Sequence, residues 1–293
     1  MTRAAPAAFS GGRFALKGGT AINLFFRDMP RLSVDLDLVF PDQTLIRADA
    51  LKAIGDEMRA IEIRLRERGY QVHVINSPGV GETKLLVRDG PIEIKIEVNF
   101  VIRGTVHPIA KRAISARAQD ILLADLELPV LSLEDVYGGK LVAALDRQHP
   151  RDLFDVMQLY AHEGLTPGIR RAFVVYLASH DRPVHEVLAP QFRDVSFDYH
   201  NHFVGMTEES VPLQALLETR ERLTKDILTG LDAAERAFLL SLVGNTPDWS
   251  AMGIDHLQHM PALKWKLVNL EKLQVADPGK FALQRTALEK ILR

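Results

Sequence analysis

Residues 17–40 read KGGTAINLFFRDMPRLSVDLDLVF, and this stretch decides the fold. Its last nine residues alternate strictly. Leu32, Val34, Leu36 and Leu38 take one side, and Ser33, Asp35 and Asp37 take the other. A period of two marks a half-buried strand. Upstream, Arg13 to Lys17 is a short strand candidate that ends at Gly18-Gly19, and Thr20 to Arg27 reads as a short helix. The order is therefore strand, glycine turn, helix, strand.

Asp35 and Asp37 stand at i and i+2, so one strand would point both carboxylates to the same face. There they repel. A solvated face of an edge strand is the bland explanation. A divalent cation is the chemical one, because Mg²⁺ prefers oxygen ligands and takes one or two carboxylates per ion. Two such ions can activate a nucleophile and stabilise a leaving oxygen.

Pro91 to Phe100 alternates again, with Ile92, Ile94, Ile96 and Val98 against Glu93, Lys95, Glu97 and Asn99. If the two strands are neighbours, Asp35, Asp37 and Glu97 form one cluster, with Glu93 as the rival third carboxylate. A ladder of weak surface ion pairs is the alternative for this face. Gly18-Gly19 lets backbone approach a ligand closely, and Thr20 adds a hydroxyl. Ser33 shares the polar face with Asp35 and Asp37.

Leu51, Ile54, Met58, Ile61 and Leu65 have the spacing of an amphipathic helix. Gln71–Ile75 and Thr83–Val87 are strand candidates around a Pro-Gly turn. From Ser132 onward helical periodicity dominates, with Ser132 and Asp135 placed as an N-cap and its N3 residue. Lys140 lies mid-helix beside Gly138-Gly139. Arg151 and Asp155 stand at i,i+4 and could pair on a helix surface, which assigns Asp155 to structure and leaves Asp152 for function. The expected class is α+β: a mixed-sheet domain over residues 1–130, then a mainly helical domain over 131–293.

Composition adds exclusions. The chain has no cysteine, so a disulfide scaffold, a thiol nucleophile and a Cys-ligated zinc site are ruled out. No apolar run approaches the roughly 18 residues that span a bilayer, and Met1 to Ser10 lacks a signal-peptide core. A soluble cytoplasmic protein with no membrane partner is expected. The net charge is -2, but Arg103, Lys111, Arg112 and Arg117 lie in a stretch without acids. Lys264 to Arg293 is also rich in cations. Either segment could track a phosphate backbone or be a solvated face. His180, His185, His200 and His202 fall in the poorly patterned segment Arg182–Gly205 or just before it, and His256 and His259 stand at i,i+3. No clean zinc spacing emerges, so packing or surface histidines are expected.

Taken together, GGTAINLFFRDMPRLSVDLDL resembles the first motif of the AbiEii toxin family of nucleotidyltransferases, which includes the MenT toxins and belongs to the DNA polymerase β-like superfamily. The matching positions are Gly18, Gly19, Thr20, Arg31, Ser33, Asp35 and Asp37. A second block, EDVYGGKLVAALDRQHPRDLFDVMQL at 134–159, resembles the family's Lys helix and its Arg-Asp-[LI]-[FY]-Asp helix. A weaker match is PALKWKLVNL at 261–270.

The resemblance implies a polymerase β-like domain that transfers NMP from an NTP with release of pyrophosphate. Asp35, Asp37 and Glu97 become Mg²⁺ ligands. Gly18, Gly19, Thr20 and Ser33 become the nucleotide-binding turn, where phosphorylation of Ser33 would compete with nucleotide. Lys140 would neutralise the triphosphate, and Asp152 would orient Lys140 or a substrate group. The implied partners are an RNA acceptor, such as the tRNA 3′ end, and a cognate antitoxin. Transfer to a small molecule or protein, and a non-catalytic binding module of the same fold, are the alternatives.

Overall fold

The computed structural model describes residues 1–77 and 82–293. The Pro-Gly turn expected between two strands lies outside the described residues. The chain divides into two compact units, Met1–Val136 and Tyr137–Arg293.

The first unit is built on a seven-stranded mixed sheet. Its strands are β1 (Ala15–Lys17), β2 (Leu36–Val39), β3 (Gln71–Ser77), β4 (Glu82–Asp89), β5 (Ile92–Asn99), β6 (Ala110–Ala113) and β7 (Glu127–Val130). Their order is β3-β4-β5-β2-β1-β7-β6. β2 runs antiparallel to β1 and parallel to β5. The centre is apolar: Leu16, Leu36, Leu38, Ile96 and Val130 are fully buried. Each such aliphatic side chain contributes roughly 1.5–3 kcal/mol relative to exposure. The helix Arg47–Glu67 lies against β3 and β4. It buries Ala50, Ile54, Met58, Ile61 and Leu65, whereas Leu51 is only half-buried.

Two sequence expectations need correction. The long strand Leu32–Phe40 is shorter than its alternation suggests, since β2 starts at Leu36. Leu32 and Val34 are 54% and 48% exposed. The physical reason is the loss of a neighbour. β1 ends at Lys17, opposite Asp37, and then enters the glycine turn. The helix expected at Thr20–Arg27 begins earlier, at Gly18, and after Ala21 widens into a π-helical turn, Ile22–Phe26.

The second unit contains helices and no strand. The helix Leu133–Asp146, which leads into it, is capped as expected: Ser132 Oγ accepts the Asp135 N–H at 3.0 Å. The Asp135 carboxylate accepts the backbone N–H groups of Val106 and His107 at 2.7 and 2.8 Å, tying that loop to the cap. Within the second unit, Gly138 lies against the helix Pro167–Ala178. A Cβ there would stand 2.9 Å from Ala172 and Phe173 backbone atoms. The poorly patterned segment folds as two short helices, Val184–Leu188 and Ser196–His202. Among the described residues, no helix is long and apolar enough to cross a membrane.

Candidate active site

The glycine turn and the carboxylates meet in the first unit because of strand register. Parallel pairing of β2 with β5 sets Asp37 opposite Glu97, and antiparallel pairing of β1 with β2 sets Lys17 opposite Asp37. Gly18 has φ +76°, and a Cβ on it would stand 2.3 Å from Asp37 Oδ2. Only glycine fits that place and that backbone conformation. Gly19 is crowded in the same way, since a Cβ would lie 2.8 Å from a guanidinium nitrogen of Arg31 and 3.0 Å from Ser33 Oγ.

Thr20 is buried, and its hydroxyl donates to the Asp35 carbonyl while sharing a hydrogen bond of 3.1 Å with Ser33 Oγ. The threonine thus fixes the backbone that carries Asp35. Asp35 itself precedes β2 rather than sharing a strand with Asp37. Its Oδ1 accepts the Lys95 N–H at 3.0 Å.

Cations fill the space around these carboxylates. Lys95 Nζ stands 3.2 Å from Glu97 Oε2 and 3.9 Å from Asp35 Oδ2, and Lys84 Nζ stands 3.4 Å from Glu97 Oε2. Glu93 is elsewhere: it faces Arg88 across the β4–β5 ladder and pairs with it in solvent. Asp37 and Glu97 hydrogen-bond to each other. Burial raises the Asp37 carboxyl above its ordinary range; Lys17 opposes that shift and Glu97 reinforces it. Burial also pushes Glu97 upward, but Lys95 and the hydrogen bond from Asp37 outweigh it and leave Glu97 below its ordinary value.

These donors fit a hard divalent cation. All are carboxylate oxygens, and two carboxylates set side by side repel until a cation neutralises them. Asp35 stands apart from that pair: ahead of β2 it accepts the Lys95 N–H and lies 3.9 Å from the Lys95 ammonium, and among the described residues the three carboxylates do not gather within 4.8 Å of one another.

Lys140 and Asp152 belong to the second unit. Lys140 is 7% exposed, and its Nζ lies 2.8 Å from Asp152 Oδ1 and 2.9 Å from Asp155 Oδ2. Arg147 closes on Asp152 with a bidentate bond of 2.5 and 2.9 Å. Burial opposes the Asp152 charge, but Lys140 and Arg147 hold its carboxyl far below the usual carboxylate range. The expected surface pair of Arg151 with Asp155 is corrected: Asp155 is fully buried against Lys140. Helical spacing placed Asp155 near Arg151 but carried no signal that Lys140 comes from another helix.

Sequence reasoning passed over Lys17 and Lys84, whereas Lys95 stood in the ion-pair ladder weighed for its face, and it pairs with Glu97. Lys95 was readable, because alternation places it on the Glu97 face; Lys17 and Lys84 needed the register. The two basic segments divide by burial. Lys111, Arg112 and Arg117 are exposed, but Arg103 is 3% exposed. In the C-terminal segment Lys266 is buried, donating to the carbonyls of His180 and Arg182 at 2.7 Å each. Burial lowers its ammonium to about 8.

Comparison with known proteins agrees with this architecture. The family model "Nucleotidyl transferase AbiEii toxin, Type IV TA system" matches residues 1–269. Among solved structures, the chain is similar to MenT4, the nucleotidyltransferase toxin Rv2826c from Mycobacterium tuberculosis H37Rv. The TM-score is 0.58 at 21% identity, over 88% of this chain and 84% of that one. That likeness shows a shared fold. No curated protein matches by sequence.

Proposed function

Because the chain belongs to the AbiEii family of nucleotidyl transferase toxins, its reaction is nucleotidyl transfer, and we propose that Asp35, Asp37 and Glu97 bind Mg²⁺ and direct that transfer to an RNA acceptor such as the tRNA 3′ end. The observation that carries the reading is the register of Asp37 with Glu97, one strand away from the Gly18 turn. Bound Mg²⁺ would supply charge neutralisation at the phosphates and stabilise the attacking and leaving oxygens.

The chain's own residues do the rest. Gly18 and Gly19 let Asp37, Arg31 and Ser33 pack directly on the backbone of the nucleotide-binding turn. Thr20 holds the Asp35 backbone, and Ser33, bonded to the Thr20 hydroxyl, completes the nucleotide-binding turn. In the second unit Lys140, the residue of the family's lysine motif, is held by Asp152 and Asp155 at 2.8 and 2.9 Å. The acceptor hydroxyl oxygen forms a bond to the α-phosphorus and gives up its proton. The α–β phosphoanhydride bond breaks and pyrophosphate leaves. Catalysis of this kind is mostly positioning and electrostatics.

The exposed cations Lys111, Arg112 and Arg117 support an RNA acceptor. A toxin of this family acting on RNA is proposed to work in the cytoplasm, under a cognate antitoxin. Incubation with total tRNA, Mg²⁺ and each labelled NTP tests the proposal. Wild type should label tRNA with one preferred NTP, and Asp35→Ala should not, while keeping its circular dichroism spectrum. Labelling of protein or of small molecules alone would overturn the RNA assignment, and undiminished transfer by Asp35→Ala would overturn the site.

A further inference from the structure

The segment that sequence patterning left unread contributes two members, Asp198 and His202, to a second chemistry-bearing cluster. His149, Asp198 and His202 each present one ligand atom, and these atoms all lie within 4.8 Å of one another. His149 is the N-cap of the helix Pro150–Ala161, and Asp198 and His202 stand one turn apart on the helix Ser196–His202. The i,i+4 spacing puts both of the latter on one helix face, as metal-binding helices require. The imidazole rings of His149 and His202 lie 6.1 Å apart, only 24° from parallel. His202 Nδ1 meets Asp198 Oδ1 at 3.0 Å.

We propose that His149, Asp198 and His202 form a site for a zinc-class divalent ion, separate from the Asp37–Glu97 pair. Two imidazoles and one carboxylate are the donor set such ions prefer, and a hard ion such as Mg²⁺ does not seek imidazole. Ligands about 2.0–2.2 Å from a tetrahedral ion stand closer together than 4.8 Å, so the donors must draw in. They are free to do so, because the Asp198 and His202 side chains are 44% and 51% exposed. That exposure also leaves the fourth position to water. His149 Nδ1 now accepts the Arg151 N–H at 3.1 Å. An ion bound to this ring displaces that capping bond or turns the ring over, so the Arg151 amide reports on binding.

The site has a consequence for the rest of the unit. His149 directly precedes the helix whose Asp152 and Asp155 grip Lys140. An ion held by His149 and the 196–202 helix braces the start of that helix.

The test uses the full chain, stripped with chelator and kept in millimolar Mg²⁺ to saturate oxygen-only sites. It is titrated with Zn²⁺ by calorimetry and with Co²⁺ by visible absorption. Wild type should bind one ion per chain, give the intense Co²⁺ bands of a four-coordinate site and shift the Arg151 amide resonance. His202→Ala, a change at an exposed helix end, should lose the bands and weaken Zn²⁺ binding at least about tenfold. Asp198→Asn should weaken it similarly, and Asp35→Asn should not. Absence of saturable one-to-one binding by wild type would overturn the proposal, as would equal binding by His202→Ala and Asp198→Asn. In either case the trio is a hydrogen-bonded network only.

Discussion

Gly18 and Asp37 are in such close contact that a Cβ built on the glycine would stand 2.3 Å from Asp37 Oδ2. The same glycine holds φ +76°, where an L side chain is strained by about 1–2 kcal/mol. Gly18→Ala should therefore move the carboxylate or the turn. A displacement near 1 Å at a reacting centre costs about 100-fold in rate. The expected result is a folded protein with at least that loss of NMP transfer. Full activity in Gly18→Ala would show that the contact has no bearing on the chemistry.

Burial raises the Asp37 carboxyl above its ordinary range, and Glu97 opposite it reinforces the shift while Lys17 opposes it. A carboxyl raised above its unfolded value stabilises the fold fully below that unfolded value. The contribution is lost as pH rises through the folded value. Mg²⁺ binds the ionised carboxylate, so it competes with protonation of the raised Asp37 carboxyl. Affinity for Mg²⁺ should therefore strengthen as pH rises above the ordinary carboxylate range, with proton release visible by calorimetry in buffers of different ionisation heat. Asp37→Asn should abolish that release. A Mg²⁺ affinity independent of pH would contradict the assignment.

Lys140 is buried between Asp152 and Asp155 at 2.8 and 2.9 Å. Lys140→Met removes the cation and leaves buried carboxylates short of a partner, a change that costs about 3–5 kcal/mol. Urea denaturation should show that loss. Adding Asp152→Asn and Asp155→Asn to Lys140→Met should restore most of the stability without restoring transfer. Recovery of transfer in the triple variant would confine Lys140 to a structural role.

Gly138 and Gly139 are adjacent, yet their alanine variants should move stability in opposite directions. A Cβ on Gly138 would lie 2.9 Å from Ala172 and Phe173 backbone atoms, which cannot step aside as a flexible side chain does. Such overfilling costs roughly 1–3 kcal/mol. A Cβ on Gly139 meets nothing within 4 Å. Gly139→Ala should then gain up to about 1 kcal/mol from helix propensity. Thermal melts of the two variants check the sign of each.

Much of this was legible in the chain itself. Alternation in LSVDLDLVF and in IEIKIEVN announced two strands, each with carboxylates on its polar side. The double glycine announced a close backbone approach, and the Ser132–Asp135 spacing announced a helix start. These are local signals, set by the period of a strand and by the orphan amides at a helix end.

Tertiary structure decided what local pattern could not. Glu93 and Glu97 occupy equivalent positions in the alternation, and only the parallel register of β2 on β5 sets Glu97 opposite Asp37 and leaves Glu93 with Arg88. Leu32 and Val34 continue the β2 pattern but lie outside the strand, because β1 has already turned away at Gly18. Asp155 had a partner one turn away on its own helix, and burial gave it a different one, Lys140. His149 and His202 are far apart in the chain and share no motif, yet helix placement brings their rings to 6.1 Å. A sequence determines which faces are apolar and which carry charge. The neighbour of each charge is settled by register and helix placement, through the free energy of burying apolar side chains elsewhere.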